Sequence, residues 1–430
     1  MATENLHLPN EEQLAAIELI NTWLNDEFAG SFFVLKGSAG TGKTFSLKHL
    51  LKRFRGATVF TAPTNKATKV LRESLTSPTY TPECCTIYSL LGLKLEASGA
   101  VKEIRLPRDK TPNLKTYKLV VIDESSMLNS QLLGYIKRCA DAYPGLKFLF
   151  MGDAAQLPPV KELISPIWKL DCPQASLTRV MRHDNQILEL VTRIRDKVDH
   201  PAPTVKLGSN FEGGEGVWHL SRPTFNLHLE GAAKIGLFSD EGMAKVIAWR
   251  NATVDRYNRQ IRQIIFGDRP DPWLKGDRLI FTEPAKDPND SDEIVATTDD
   301  EGEVVRVEVG YHPIHSEFKC YALTVELGTG GAALAWTIHP EALQEHTKKL
   351  ARMMAEAQSN PRQWKAFWGF KESFHAVRHA YAITAHRSQG STYQNVFVDT
   401  MDILANPNRQ EAFRCLYVAC SRPSHKLILV

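Results

Sequence analysis

The chain has 430 residues, of which 43% are hydrophobic and 23% charged, with a formal net charge of +3. That length exceeds a single core and predicts roughly two to four domains of ordinary globular type. No apolar run approaches membrane-spanning length, Met1 to Asn10 lack the layout of a signal peptide, and so small a charge implies no partner by itself. A nucleic-acid binder with this balance must gather its positive charge in one groove. The seven cysteines, Cys84 and Cys85 adjacent, show no C-x-x-C pair and no ligand spacing with His. They read as reduced thiols of a cytoplasmic protein and not as a metal cluster.

Asn10-Glu11-Glu12-Gln13 opens a helix whose apolar face is Leu14, Ile17, Ile20 and Leu24. Gln13 has two readings. It is the third position of a capping box reaching back to Asn10, or its amide offers a donor and an acceptor to the adenine edge. The apolar run Phe32 to Leu35 then precedes Gly37-Ser38-Ala39-Gly40-Thr41-Gly42-Lys43-Thr44, and Phe45, Leu47, Leu50, Leu51 and Phe54 continue as a helix. Strand, glycine-rich turn and helix fill every fixed position of the P-loop. Its amides and the helix N-terminus face phosphate oxygens. Lys43 is expected to reach the β- and γ-phosphates, and Thr44 to ligate Mg²⁺. The complete motif outweighs a glycine turn without a ligand, so the chain is expected to bind a nucleoside triphosphate.

Thr58 to Ala62 is a strand running into Pro63-Thr64-Asn65-Lys66, a polar turn opening a helix through Val70 and Leu71. Such a turn suits a phosphodiester as well as a cap. A second polar turn, Thr86-Ile87-Tyr88-Ser89, leaves Tyr88 between base stacking and core packing, the core being the commoner fate. Leu93 to Glu96 and Val101 to Leu106 alternate about Ser98-Gly99 as a hairpin carrying Lys94, Lys102 and Arg105, with Arg108 and Lys110 beyond. It is a solvated ribbon or a protrusion against nucleic acid.

Leu119 to Ile122 is an apolar strand ending in Asp123-Glu124-Ser125-Ser126-Met127, where open parallel sheets bind ligands. Asp123 is expected to hold the Mg²⁺ shared with Thr44, and Glu124 to orient and deprotonate a water. Phe148 to Met151 is followed by Gly152-Asp153 and Gln156-Leu157-Pro158-Pro159-Val160, with the Gln156 amide placed to contact a γ-phosphate.

Leu177 to Arg182 leads to a helix through Ile187, Leu190, Val191 and Ile194, and Pro201 to Gly216 reads as a linker or long loop. A second α/β unit begins at Val246 to Trp249 without a P-loop of its own. From Arg278 to Ile338, short β-rich runs predict a small antiparallel barrel. A helix from Pro340 to Ala357 and an aromatic run (Trp364, Phe367, Trp368, Phe370, Phe374) follow, the latter read as packing before base stacking. Tyr381 to Gly390, a strand at Val396 to Val398, a helix carrying Leu416 to Arg422 and a strand from Leu427 to Val430 complete the unit.

Gly37 to Thr44, Asp123 to Met127, Gly152-Asp153 with Gln156 to Val160, His386-Arg387-Ser388-Gln389-Gly390 and Tyr417 to Arg422 together resemble superfamily-1 DNA helicases of the 5′-to-3′ branch, the RecD-like group, over nearly the whole chain. The resemblance implies an α/β protein of two RecA-like P-loop NTPase-type domains with ATP in the cleft between them. Residues 1–92 and 117–183 would form the ATP-binding domain and 93–116 a pin hairpin. Residues 184–280 and 376–430 would form the second RecA-like domain, with 281–375 an inserted SH3-like barrel and helical extension. The resemblance assigns Gln13 to adenine, counts Gly390 with the nucleotide-binding residues, and makes Arg182 and Arg422 arginine fingers given by the second domain; without it both would be surface arginines. It lays single-stranded DNA on Pro63, Thr64, Asn65, Lys66 and the Thr86 to Tyr88 turn, and on Thr384, His386 and Ser388. Two departures stand out: the hairpin carries no aromatic residue for a duplex junction, and Tyr88 stands where relatives frequently carry His.

The function expected is an ATP-dependent helicase, a DNA-stimulated ATPase of replication, repair or recombination, moving 5′ to 3′ on single-stranded DNA and opening forked duplex. Its cofactors would be ATP and Mg²⁺. It would act as a monomer, with a single-strand-binding or replication protein as a further partner. The alternatives are a translocase that strips proteins without unwinding, a nucleotide-gated DNA-binding module, and a small-molecule P-loop kinase.

Overall fold

A computed structural model describes residues 8–38, 40–54, 57–95, 101–103, 114–179, 186–200, 204–288, 293–328 and 330–430. Its contacts divide the chain into two units. The first is Met1–Trp218 with Ser388–Thr392 and Ile403–Leu427, the second His219–Arg387 with Tyr393–Asp402 and Ile428–Val430. Among the described residues no helix is long and apolar enough to cross a membrane.

The first unit is built on a six-stranded sheet in the order Cys84–Thr86, Thr58–Ala62, Leu119–Ile122, Lys147–Gly152, Phe32–Gly37, Gln174–Leu177. Every pairing in it is parallel. Three of its strands, Thr58–Ala62, Leu119–Ile122 and Lys147–Gly152, are buried at every residue. Parallel sheets covered on both faces demand such continuous apolar runs. One face packs on the Glu11–Asn25 and Lys43–Phe54 helices through Ile20, Trp23, Leu47 and Leu50. The other packs on the Ser130–Ala142 helix through Leu132, Leu133 and Ile136.

The first helix differs from its sequence expectation. Its buried stripe is Gln13, Ala16, Ile20 and Trp23, and Leu14 is 52% exposed. The rotation has a physical cause: it lays the Trp23 ring 5.3 Å from that of Phe33 and carries Gln13 inward to the P-loop. The expected linker is also corrected in its second half. Asn210–Glu212 and Glu215–His219 pair as an antiparallel hairpin. Gly213 and Gly214 turn it with φ of 59° and 85°, the two positive values that a tight hairpin turn needs. Phe211 stacks on Trp218 at 4.9 Å. The Leu93–Leu95 and Val101–Glu103 strands pair antiparallel as expected. The rest of that hairpin, with Arg105, Arg108 and Lys110, lies outside the described residues.

In the second unit Ala244–Ala248 pairs in parallel with Ala382–Thr384 on one side and Tyr393–Val398 on the other. The Arg222–Lys234 and Asn251–Phe266 helices bury Phe225, Leu229, Tyr257 and Ile261 against it. The insertion is a five-stranded antiparallel sheet in the order Ala332–Ile338, Lys319–Leu327, Glu301–Tyr311, Arg278–Phe281, Val377–His379. The aromatic run does pack. Phe370 and Phe374 meet Phe318, and their rings join those of His315 and His346.

Candidate active site

The P-loop leaves the C-terminal end of Phe32–Gly37 and enters the Lys43–Phe54 helix. Gly40 and Gly42 take φ of 82° and 83°. A side chain at Gly42 would be strained, and its Cβ would collide with Gln13 Nε2. That close approach exists because Gln13 serves two partners. Its Oε1 accepts from Asn10 N at 3.0 Å in a complete capping box, and its Nε2 donates to Thr41 O at 3.0 Å. The two readings of Gln13 are therefore compatible: the cap uses one lone pair, and a primary amide retains a second N–H and a second lone pair. Its neighbour faces elsewhere. The Glu12 carboxylate accepts from Thr178 N at 2.8 Å, Thr178 Oγ1 at 2.5 Å and Arg179 N at 2.9 Å. The bonds from Arg179 N and Thr178 hold its carboxyl below the usual range.

Lys43 Nζ lies on the loop's own carbonyls, donating to Gly37 O at 2.7 Å and Ser38 O at 3.1 Å. Thr41 Oγ1 closes the turn on Ser38 O at 2.9 Å. Ala39 and Arg182 lie outside the described residues.

Asp123 and Glu124 follow directly on Leu119–Ile122. Asp123 Oδ1 accepts from Glu124 N at 2.9 Å. Glu124 itself is left-handed (φ 50°, ψ 40°), a conformation costly for a side chain and concentrated at functional sites. Its Oε2 is buried with no hydrogen-bond partner. Burial, with the Asp123 charge beside it, raises the Glu124 carboxyl above the ordinary range, and the Arg422 and Lys43 charges oppose the rise. Burial also raises Asp123, against the Lys43 ammonium.

A polar cluster surrounds this strand end. Gln389 Nε2 donates to Ser126 Oγ at 3.1 Å and to Gln156 Oε1 at 3.0 Å. Arg414 Nη1 donates to Ala154 O and Gln156 O, both at 2.6 Å. Tyr417 OH donates to Asp153 Oδ2, Ala155 N donates to Asp153 Oδ1 at 3.0 Å, and Arg195 Nε lies 3.9 Å from that oxygen. Arg422 is 5% exposed, with Nε on Val418 O at 2.9 Å, Nη1 on Ser391 O at 3.2 Å and Nη2 on Ser421 Oγ at 2.8 Å. Roles for Ser126, Asp153, Gln389, Arg414 and Tyr417 escaped the sequence reading. All but Arg414 sit in a quoted block, and only the fold brings the five together.

The residues expected to meet DNA fall in two places. Thr64 caps the Asn65–Leu75 helix, its Oγ1 accepting from Ala67 N at 3.2 Å, with Asn65 exposed and Pro63 buried. Lys66 is half-buried in that first turn. Thr86 Oγ1 caps the next turn through Ser89 N at 3.1 Å. The register Ala62↔Thr86 sets the two turns side by side at neighbouring strand ends. Tyr88 packs against the core, whose burial raises its hydroxyl pKa. In the second unit, Thr384 Oγ1 accepts from Arg387 N at 3.3 Å and His386 is exposed. Ser388 is fully buried, and Gly390 sits beside Ala67, where an added Cβ would meet that of Ala67 at 3.4 Å.

The AAA domain family model matches residues 9–205, and the UvrD-like helicase C-terminal domain model matches residues 379–430. Protein R530 of Acanthamoeba polyphaga mimivirus is 24% identical over 97% of this chain and 98% of its own. The ATP-dependent DNA helicase dda of Enterobacteria phage T4 is 25% identical over 92% of this chain and 93% of its own. The chain is similar to the superfamily-1, Dda-like helicases. A crystal structure of Pif1 helicase from Bacteroides in complex with ADP-AlF3 and ssDNA agrees in fold. The match has a TM-score of 0.54 and 17% identity over 98% of this chain and 92% of that one. The two six-stranded α/β sheets are accordingly those of two RecA-like domains.

Proposed function

We propose that the chain is an ATP-dependent DNA helicase that moves 5′ to 3′ along single-stranded DNA and separates duplex. The observation that carries this reading is Glu124: a buried carboxylate oxygen without a partner, on strained backbone, at the strand end beside a complete P-loop. A buried acceptor left unsatisfied is costly and needs a reason. A water held for attack on a γ-phosphate supplies one. Thr44 and Asp123 offer a hydroxyl and a carboxylate, oxygen donors suited to Mg²⁺, and a cation relieves the burial penalty on Asp123. ATP with Mg²⁺ supplies the scissile bond and neutralises its charge.

This chain's residues then divide the work. The amides of Gly37 to Thr44 and the Lys43 ammonium bind phosphates, Gln13 reads adenine, Glu124 orients the water and takes its proton, and Gln156 contacts the γ-phosphate. Arg182 and Arg422 neutralise charge on the transferring group; the opposition of the Arg422 charge to the Glu124 shift favours this for Arg422. Gly390 is kept with the nucleotide residues in this reading. Pro63, Thr64, Asn65, Lys66, Thr86, Tyr88, Thr384, His386 and Ser388 hold the strand, mainly by its backbone, so that binding falls with salt. The domain limits given above, the pin role of residues 93–116, closure of the antiparallel insertion into an SH3-like barrel, a monomeric state and a single-strand-binding or replication partner belong to the same reading. The seven free cysteines favour a reducing compartment, the cytoplasm.

ATPase activity measured with and without single-stranded DNA, beside unwinding of forks with 5′ or 3′ overhangs, tests the proposal. Absence of DNA stimulation would remove it. A second reading, translocation without unwinding, is favoured by the lack of an aromatic residue in Leu93 to Leu106. Deleting Lys94 to Arg105 tests the wedge: unwinding of a forked duplex that persists, with DNA-stimulated ATPase also intact, excludes it.

A further inference from the structure

A γ-phosphate oxygen only accepts hydrogen bonds, so an amide that senses it must present NH₂ and not C=O. Half a turn about the last side-chain bond exchanges the two groups at almost no steric cost. Something has to choose between them at Gln156. The two hydrogens of Gln389 Nε2 go to Gln156 Oε1 at 3.0 Å and Ser126 Oγ at 3.1 Å. Ser126, Gln156 and Gln389 are 1%, 4% and 8% exposed, so water does not compete for these bonds. With its oxygen drawn to Gln389, Gln156 turns its NH₂ the other way. The segment has a second anchor in the same unit. Gly390, left-handed at φ 76°, lies against Ala67. The Ala67 amide is the one capped by Thr64 Oγ1.

We propose that Gln389 is a positioning residue that sets the polarity of the Gln156 amide, and that the Ser388–Thr392 segment links that amide to the Thr64 turn. The proposal rests on the reading of Gln156 as the γ-phosphate contact. Gln389 touches no reacting atom; it acts through Gln156. Two consequences follow from the donor inventory. Q389A removes the orienting bond and leaves the Gln156 amide free to take either orientation. Q389E is nearly isosteric but offers only acceptors when ionised, so it draws the Gln156 NH₂ to itself and turns the carbonyl toward the phosphate. The conservative change is therefore the more damaging one.

The test uses the full chain and the variants Q389E, Q389A, Q156A and Q389E/Q156A. ATP turnover is measured with and without oligothymidine, together with ADP affinity and melting temperature. The expected result is that Q389E lowers DNA-stimulated kcat by on the order of tenfold, more than Q389A does. ADP affinity, which involves no γ-phosphate, stays at the parental value, and Q389E costs nothing further in the Q156A background. Parental turnover in Q389E, equal losses in Q389E and Q389A, or additive losses in the double variant overturn the proposal. A purely structural role for Gln389 would lower the melting temperature and produce those additive losses. If Q156A alone turns over normally, the assignment of Gln156 falls and this inference falls with it.

Discussion

Each RecA-like sheet ends a strand in acidic residues, and the two cases are opposite in their surroundings. In the first unit, Asp123 and Glu124 follow Leu119–Ile122 with few partners, and burial raises both carboxyls. In the second, Asp399 and Asp402 follow Tyr393–Val398 and are saturated. Asp402 accepts from Trp249 N at 2.8 Å, Arg250 N at 2.9 Å, Arg250 Nε at 2.6 Å and Thr253 Oγ1 at 2.7 Å. Asp399 takes both Arg222 nitrogens, at 2.8 and 2.9 Å, and the Tyr257 hydroxyl at 2.8 Å. Burial alone would raise Asp399, but Arg222 and Tyr257 hold it below the usual carboxylate range. Position at a strand end does not set a carboxylate apart; the unsatisfied bonding of Glu124 does. The second sheet has spent its acids on tying its own helices down.

The contrast breaks most easily at Glu124. Glu124→Gln is expected to cut ATP turnover by roughly 10² to 10⁴ while ATP and DNA binding persist, because only the proton acceptor is lost. Phosphate release measured beside nucleotide affinity checks it. Its counterpart, Asp402→Ala, should leave nucleotide binding intact and cost about 3 kcal/mol of stability, by leaving the Trp249 and Arg250 amides and the buried Thr253 hydroxyl without their acceptor. Denaturant unfolding gives that number. A result with the effects interchanged would end the distinction.

A finer cut separates the two duties of Gln13. Gln13→Glu keeps the acceptor for Asn10 N and loses the donor to Thr41 O and, in the proposed reading, to adenine, whereas Gln13→Ala loses the cap as well. Both should weaken ATP by about 1–3 kcal/mol, and Gln13→Ala alone should add a cap loss of about 1 kcal/mol in stability. Titration with ATP and GTP, paired with thermal melts, distinguishes them.

The smallest effect is a pH dependence in the insertion. Burial pushes His312 down from 6.5 to about 4, its ring bonded to Ser373 O and to the Ile314 and His315 amides, with His315 and His375 near it. A histidine depressed on folding binds its proton more tightly when unfolded. Its contribution is therefore whole above pH 6.5 and is lost as pH falls to about 4. Melting curves of the parent and His312→Gln should converge over that interval.

Much of the site was legible because its chemistry is local. The P-loop, the Asp123-Glu124 pair and the Thr64 and Thr86 turns each follow from residues adjacent in the chain. What escaped was set by distant partners. The stripe of the first helix is rotated because Trp23 and Gln13 answer to Phe33 and Thr41, which periodicity within the helix does not see. Gly213-Gly214 looked like a break because glycines mark loops and tight hairpin turns alike. The Gln389, Arg414 and Tyr417 contacts span more than two hundred residues of chain. The histidines around Phe370 and Phe374 carried no metal-like spacing, and it is burial that lowers the pKa of His312, His315 and His346.

Glu12 and Gln13, neighbours in one helical turn, grip opposite sides of it. One holds the amides of Thr178 and Arg179, just upstream of Arg182, and the other holds the carbonyl of Thr41 in the phosphate loop. An isolated lesion is thus hard to make there. A substitution that shifts this turn therefore disturbs two distant stretches in a single stroke, the phosphate loop at Thr41 and the backbone at Thr178 and Arg179, as a rocker passes load between its two arms.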